Sequence, residues 1–538
     1  MSMKTMMLAL ALTLCLGTVS AQDAATQLDA ALPHPGSADL PGCAVGVQLG
    51  DNAPVQRAFG MADLEHAVPI GVDSVFEAGS VSKQFTAAAA LILVGEGRLS
   101  LDDDIRKYLP ELPDYGHVVT VGELMGHTSG LRDWGDIEAM AGWPRTERVY
   151  DMADVLQVTA RQRALNFVPG TAWSYTNTGF NLLAIIVQRV SGMSFVDFTH
   201  QHLFAPLGMT HTQWRDDFRR VVQGRAIAYQ HVSDGVYEQM MPFENTYGHG
   251  ALLTTVGDLL IWNRALNEGR LGAFVTKALQ TRTQLTHGQP TVYARGLFER
   301  NYRGMREVFH DGATAGYRAW LGRFPDQHVS IAILCNADDA NTSKLAHAVA
   351  DRYLPAAKPE QAAYTAAPPV SLAGIYASER DGAPLRLSLH GKQLQSDTGL
   401  TVLADDKGAL AFERAGAGIV MTGAVQADGR LRLDNAGDAT FYDRQAPYAP
   451  TPSELARIAG RFHSDEVPVT YQVTAVAGGL KVVAEGRPGK SRLFVPAYAN
   501  AFISGDVLLR PVRGADGSVN SVVLSDDRVW HLQFARMH

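Results

Sequence analysis

The stretch Phe76-Glu77-Ala78-Gly79-Ser80-Val81-Ser82-Lys83-Gln84-Phe85-Thr86-Ala87 decides the reading of this chain. It leads into Phe85 to Val94, apolar on nearly every side, as a helix buried in a core must be. Gly95 and Gly97 end that helix. Ser80 and Lys83 stand three apart and so share a helical face, which brings the amine to the hydroxyl. A solvent-seeking lysine is out of place at the head of a buried helix, and this is the only Ser-x-x-Lys in the chain. Free N–H groups and the positive dipole end of the helix favour a developing oxyanion. A serine hydroxyl alone is a poor nucleophile, and an adjacent lysine is one remedy. Taken alone, the motif also fits an N-cap serine followed by an exposed lysine.

Two further motifs follow in order. Tyr175-Thr176-Asn177 sits between the loop signal Pro169-Gly170 and the apolar helix Phe180 to Val190. A loop tyrosine can place its phenol in a cleft; as a phenolate near Lys83 it would accept the serine proton. Asn177 offers an amide to a substrate carbonyl or to the lysine. His310-Asp311-Gly312 is read as coming just before a pair of strands. Gly312 there lets substrate approach the strand edge, and the N–H of Ala313 completes an oxyanion hole with Ser80. Each motif is weak singly, but their order along one segment points to a nucleophile, a shared base and a substrate edge. Which of Lys83 and Tyr175 takes the serine proton is open, since coupled groups titrate as a pair.

The chain divides by pattern. Cys43 to Leu49 and Val55 to Met61 read as a hairpin around Asp51-Asn52. Arg318 to Pro325 and Val329 to Asn336 read as two more strands with a turn at Pro325-Asp326-Gln327. Strands at both ends with helices between imply an α+β domain over 22–355, its sheet closed by the two ends of the segment. Residues 356–369 are rich in Ala and Pro and read as a linker. Beyond it, short alternating runs broken by Gly, Asp and Asn read as all-β. Ala373-Gly374-Ile375-Tyr376-Ala377-Ser378 is echoed 86 residues later by Ala459-Gly460-Arg461-Phe462-His463-Ser464. Two small antiparallel β-barrel domains follow, over 370–447 and 453–538, separated by Pro447, Pro450 and Pro452.

The 38–355 segment resembles the serine β-lactamase and penicillin-binding-protein superfamily. It is nearest the class C-like branch, which also holds D-aminopeptidases and esterases. Four stretches carry the resemblance: Phe76 to Ala87, Leu124-Met-Gly-His127-Thr-Ser-Gly130-Leu, Trp173-Ser-Tyr175-Thr-Asn177-Thr-Gly-Phe and Gly248-His-Gly-Ala-Leu-Leu-Thr-Thr-Val-Gly-Asp258-Leu. It implies a β-lactamase/transpeptidase-like fold. It also implies an acyl-enzyme on Ser80, with Lys83 and Tyr175 catalytic and Asn177, His310, Gly312 and Ala313 at the substrate. The third motif departs from the common Lys-Thr-Gly, which occurs nowhere in the chain. The histidine version resembles that of D-aminopeptidases, whose layout of two C-terminal barrels the tail also matches. A histidine near pH 7 is mostly neutral, and Lys83 nearby pushes it further that way. The site is therefore expected to hold carboxylates weakly. D-aminopeptidase or esterase-like cleavage is favoured, with D-Ala-D-Ala carboxypeptidase, class C-like β-lactamase or a catalytically silent binding protein as alternatives.

Composition bounds the rest. A net charge of −8 with no basic stripe argues against nucleic acid and against anionic membrane surfaces. Lys4, the apolar run Met6 to Gly17 and Val19-Ser20-Ala21 read as an export signal over 1–21, which places the mature protein in the periplasm or outside the cell. That run is too short for a lasting transmembrane anchor. Removing the leader leaves Cys43 and Cys335, both in strand-like runs. Export permits a disulfide, yet buried free thiols are the favoured reading. No zinc-type spacing occurs, and His200 and His202 point to different helical faces, so neither metal nor cofactor is expected. The expected partner is a small molecule or short peptide; the oligomeric state is open.

Overall fold

The computed structural model describes residues 21–32, 39–356, 364–414, 418–435, 437–487 and 490–537. The expected export signal over 1–21, except its last residue, and most of the Ala/Pro-rich stretch expected as a linker lie outside the described residues. The end of that linker belongs to the first barrel, where Ala366 pairs with Ala404.

Helix α1 (Ala21–Asp29) precedes the hairpin of β1 (Cys43–Leu49) and β2 (Val55–Phe59). Then come α2 (Lys83–Gly95), α3 (Asn177–Ser191) and α4 (Val256–Asn267). Strands β3 (Phe298–Tyr302), β4 (Met305–Thr314), β5 (Tyr317–Phe324) and β6 (Val329–Cys335) lead to α5 (Thr342–Tyr353). The sheet is antiparallel in the order β3-β4-β5-β6-β1-β2, so the two ends of the segment meet at its centre, as expected. Both faces are covered, which explains why β1 and β6 are buried almost throughout and mostly apolar. Ala44, Ala332 and Leu334 pack toward α2 and α4. Cys43, Val45, Ile331 and Ile333 pack toward Leu28 of α1 and Val349 of α5.

Two features position the site. Every residue of α2 from Lys83 to Leu91 is buried. And β3 pairs only with Met305 to Phe309, so β4 runs on alone on that side from His310 to Thr314. The His-Asp-Gly motif thus lies inside a strand of its own, just before the two strands expected after it.

The tail forms two closed eight-stranded antiparallel barrels, Gly374 to Gln445 and Gly460 to Arg536. The repeated Ala-Gly opens each, and in each an arginine of the last strand clasps that opening. Arg444 donates to the carbonyls of Ser371 and Ala373, and Arg536 to that of Ala459. A Cβ on Gly374 or Gly460 would strike that arginine. The second barrel shares a core with the first domain: Trp134, Ile137, Met140 and Val155 pack with Leu455, Tyr471, Val482 and Phe494.

Cys43 and Cys335 form a disulfide, which corrects the free-thiol reading. The cause is register: β1 and β6 pair so that the two cysteines face each other directly. We expect the Cys43→Ala/Cys335→Ala variant to lose about 2–4 kcal/mol, the usual worth of a bridge closing so long a loop. In thermal denaturation, dithiothreitol should lower the wild-type midpoint toward that of the variant and leave the variant unchanged.

Candidate active site

Ser80 lies in a tight turn, Gly79–Ser82, that runs straight into α2. Ser82 Oγ donates to the Gly79 carbonyl at 2.6 Å and accepts from the Leu252 N–H at 3.2 Å, which fixes the turn. Strand β4 presses against it. Gly79 has φ +51°, and a Cβ there would stand 2.7 Å from the Ala313 nitrogen. A Cβ on Gly312 would stand 2.1 Å from the Ala78 carbonyl oxygen and 3.1 Å from the Ser80 nitrogen. Only glycines let the two backbones approach so closely, and the approach brings the N–H groups of Ser80 and Ala313 to one spot.

Lys83 is fully buried. Its Nζ lies 3.1 Å from Ser80 Oγ, 2.9 Å from Asn177 Oδ1 and 2.8 Å from the His249 carbonyl. None of the three partners is a carboxylate. Burial, together with the charges of Arg528 and Arg145, pulls its pKa well below the ordinary lysine value, against a smaller opposing effect of Asp133. A neutral amine has two N–H donors and one lone pair. Asn177 Oδ1 and the His249 carbonyl can only accept, so they take the two donors, and the lone pair is left for the Ser80 hydroxyl. Both acceptors are held in turn. Asp133 takes the backbone N–H of Asn177 at 2.6 Å, and the His249 ring meets Asn181 at 2.8 Å and Arg145 at 2.9 Å.

Tyr175 sits in the loop before α3 with its ring 4.3 Å from that of His127 and its own ring under Lys83 Nζ at 4.7 Å. Burial raises the phenol pKa, more than its hydrogen bond with Ser80 and the charge of Arg528 lower it, so the phenol keeps its proton. His127 caps the helix Val121–Gly126 in a left-handed conformation, and its Nδ1 accepts the Thr176 N–H at 3.2 Å. The Leu124 to Leu131 stretch thus acts by supporting the tyrosine loop.

His310 departs from expectation in direction. Its side chain turns inward, where Nε2 meets the Tyr293 hydroxyl at 3.1 Å, and it does not line the cleft. Burial lowers its pKa to about 4, with Lys83 adding to the effect, so it is neutral as expected. The alternation of β4 puts the exposed Asp311 on the cleft wall instead.

The cleft has a volume of about 260 Å³ and is lined by Ser80, Tyr175, Asn177, Gly312 and Ala313 together with three residues the sequence reading missed: Arg145, His249 and Arg528. Arg145 is paired with Glu244. Arg528 comes from the second barrel, whose loop is pinned to the first domain. Asn166 bonds the Arg528 carbonyl at 2.8 Å and the Trp530 N–H at 2.7 Å, and buried Arg132 pairs with Glu466 at 2.8 Å. No motif marks Arg528 or Asn166, because their partners lie more than three hundred positions away. Two larger cavities adjoin the cleft. One of about 350 Å³ shares Tyr175 and Arg528, and one of about 740 Å³ shares Asp311, Gly312 and Ala313.

Comparison with known proteins gives a consistent picture. The family model described as Beta-lactamase matches residues 22–355. A D-aminopeptidase of Cereibacter sphaeroides is 26% identical over 457 residues, 84% of each chain. Penicillin-binding protein 4* of Bacillus subtilis is 29% identical over 310 residues, 54% of this chain and 67% of that one. Among solved structures, the D-amino acid amidase of Ochrobactrum anthropi complexed with L-phenylalanine amide has a TM-score of 0.54 at 21% identity. That match covers 61% of this chain and 98% of the amidase.

The close approach of Gly312 can be tested directly. Gly312→Ala should keep the native circular dichroism spectrum, yet slow covalent labelling by a fluorophosphonate about 10²-fold or more. That is the cost of losing one oxyanion donor.

Proposed function

This chain belongs to the beta-lactamase family and is a serine hydrolase of it; on that premise we propose that it cleaves amide or ester bonds of short peptide-like substrates, D-aminopeptidase-like, outside the cytoplasm. The observation that carries the mechanism is the Lys83 amine, buried without a carboxylate partner and 3.1 Å from Ser80 Oγ. Lys83 takes the serine proton as Oγ attacks the carbonyl carbon. The N–H groups of Ser80 and Ala313 hold the oxyanion. Tyr175, which keeps its phenol proton, donates it to the departing amine or alkoxide and is then reprotonated through Lys83. Asn177 orients the amine. Water attacks the acyl-enzyme by the reverse proton route and frees Ser80.

The D-configured class of substrate rests on relatives that carry D-aminopeptidase and D-amino acid amidase as their names and match most of the chain or its fold. The adjoining cavities give room on either side of the scissile bond for a short peptide. The strand supplies no permanent cation, since His310 is neutral and turned inward, which disfavours efficient β-lactam turnover. Export is supported by the leader-like N-terminus and by the disulfide, which persists in oxidising compartments. Among the described residues no single helix is long and apolar enough to cross a membrane.

A fluorophosphonate should label the wild type at Ser80, read by intact mass and peptide mapping. Ser80→Ala should label nowhere and lose turnover by about 10⁶-fold, as when other serine nucleophiles are removed. Labelling that survives Ser80→Ala contradicts the assignment. In a panel of D-amino-acid amides, short esters and a cephalosporin, the cephalosporin should fall below about 10⁴ M⁻¹s⁻¹ in kcat/KM. A cephalosporin turned over as efficiently as by a dedicated β-lactamase contradicts the reading of the third motif.

A further inference from the structure

The cleft contains two arginines, and their surroundings differ. Arg145 is held by Glu244 through both Nε and Nη2, and its Nη2 also meets His249 Nε2. Arg528 is not. Its guanidinium lies 5.3 Å from the centre of the Tyr175 ring, at the edge of the reacting groups. Its Nε is buried with no hydrogen-bond partner. The carboxylates around it stop short: the nearest approaches are 3.5 Å for Asp527 and 3.9 Å for Asp136. Both exceed the usual N–H···O range. The charge is nonetheless secure. Burial opposes it, but Asp133, Asp527 and Asp136 together hold its pKa above the ordinary arginine value. Burial and the neighbouring Asp133 and Asp526 push the Asp136 carboxyl up to about 8, against the pull of Arg528.

The loop that carries Arg528 is built to present it. Asp526 Oδ1 accepts the N–H of Arg528 at 2.9 Å and that of Val529 at 2.6 Å, and the Arg528 carbonyl is clasped by Asn166. A charged, fixed guanidinium whose carboxylate neighbours stand at ion-pair and not hydrogen-bond distance matches the planar fork of a carboxylate.

We propose that Arg528, delivered to the cleft by the second barrel, is a specificity-determining residue that receives a substrate carboxylate close to the scissile bond. The strand-side wall, with neutral His310, offers no such cation; the barrel restores one from another direction. This revises the expectation that the site holds carboxylates weakly. Asp311 on the strand-side wall and Arg528 on the barrel side then suit a zwitterion, a short peptide with a free amino end and a free carboxyl end. The inference rests on the hydrolase reading for the identity of the cleft, and it deepens that reading: short D-peptides with a free C-terminus are preferred over their neutral amides.

Binding can be measured without turnover in the full-length Ser80→Ala chain. Calorimetry with D-alanyl-D-alanine and with D-alanyl-D-alaninamide should give the free acid at least ten-fold tighter binding. Adding Arg528→Gln should bring the two affinities within about two-fold, through loss of acid binding alone. Arg528→Lys, which keeps charge but not the fork, should restore part of the preference. Equal binding of acid and amide, no binding of either, or a preference that survives Arg528→Gln overturns the proposal. Fluorophosphonate labelling of the wild-type chain judges the hydrolase reading separately, so a chain that labels but shows no acid preference sinks Arg528 alone.

Discussion

An amine with no counter-ion, enclosed at the head of a buried helix, sets the terms for the rest of this structure. Burying an ammonium without a carboxylate in contact is costly, and a lysine relieves that cost by giving up its proton. The surroundings of Lys83 favour this outcome. Two fixed acceptors take its N–H groups, two arginines raise the local potential, and Asp133, the acid that opposes them most, is occupied with the N–H groups of Asn177 and Gly135. Much of the polar network around the cleft then has a single purpose. Asn181, Arg145 and Glu244 hold the His249 loop, and Thr176, His127 and Asp133 hold the start of α3. Both serve to place an acceptor on Nζ.

The second barrel is part of the same arrangement. Its core continues into the first domain through Trp134 and Met140, so the two parts bury one apolar interior. Arg132 anchors the interface from within: it pairs with Glu466 and donates to the Trp530 carbonyl. The helix Trp134–Met140 begins at Asp133, the residue that holds Asn177. Barrel docking and amine placement are therefore adjacent in the chain, and the loop bearing Arg528 arrives at the cleft as a consequence of that docking.

Local periodicity made half of this legible in the sequence. Ser80 and Lys83 share a helical face at any depth, so their contact could be read directly, and the buried character of Phe85 to Val94 fixed their environment. The barrels announced themselves by their short alternating runs and by the repeated Ala-Gly, whose glycines now have a steric reason. What failed was of longer range. Cys43 and Cys335 pair because two strands 292 residues apart meet in one register, which spacing along the chain does not encode. His310 was placed at the cleft on the resemblance of the third motif; inside β4, alternation turns it inward and brings Asp311 out. Arg528 and Asn166 are unremarkable in sequence, since their meaning lies in a docking contact between domains.

The central claim is that Lys83 is an uncharged amine in the resting protein. Its titration can be observed by nitrogen-15 NMR of lysine-labelled protein, with the Lys83 resonance identified by its loss in Lys83→Met. The Lys83 amine should titrate well below the ordinary lysine value of about 10.4. A Lys83 resonance that titrates at or above that value would mean a charged ammonium at rest and would contradict the assignment of Lys83 as the base.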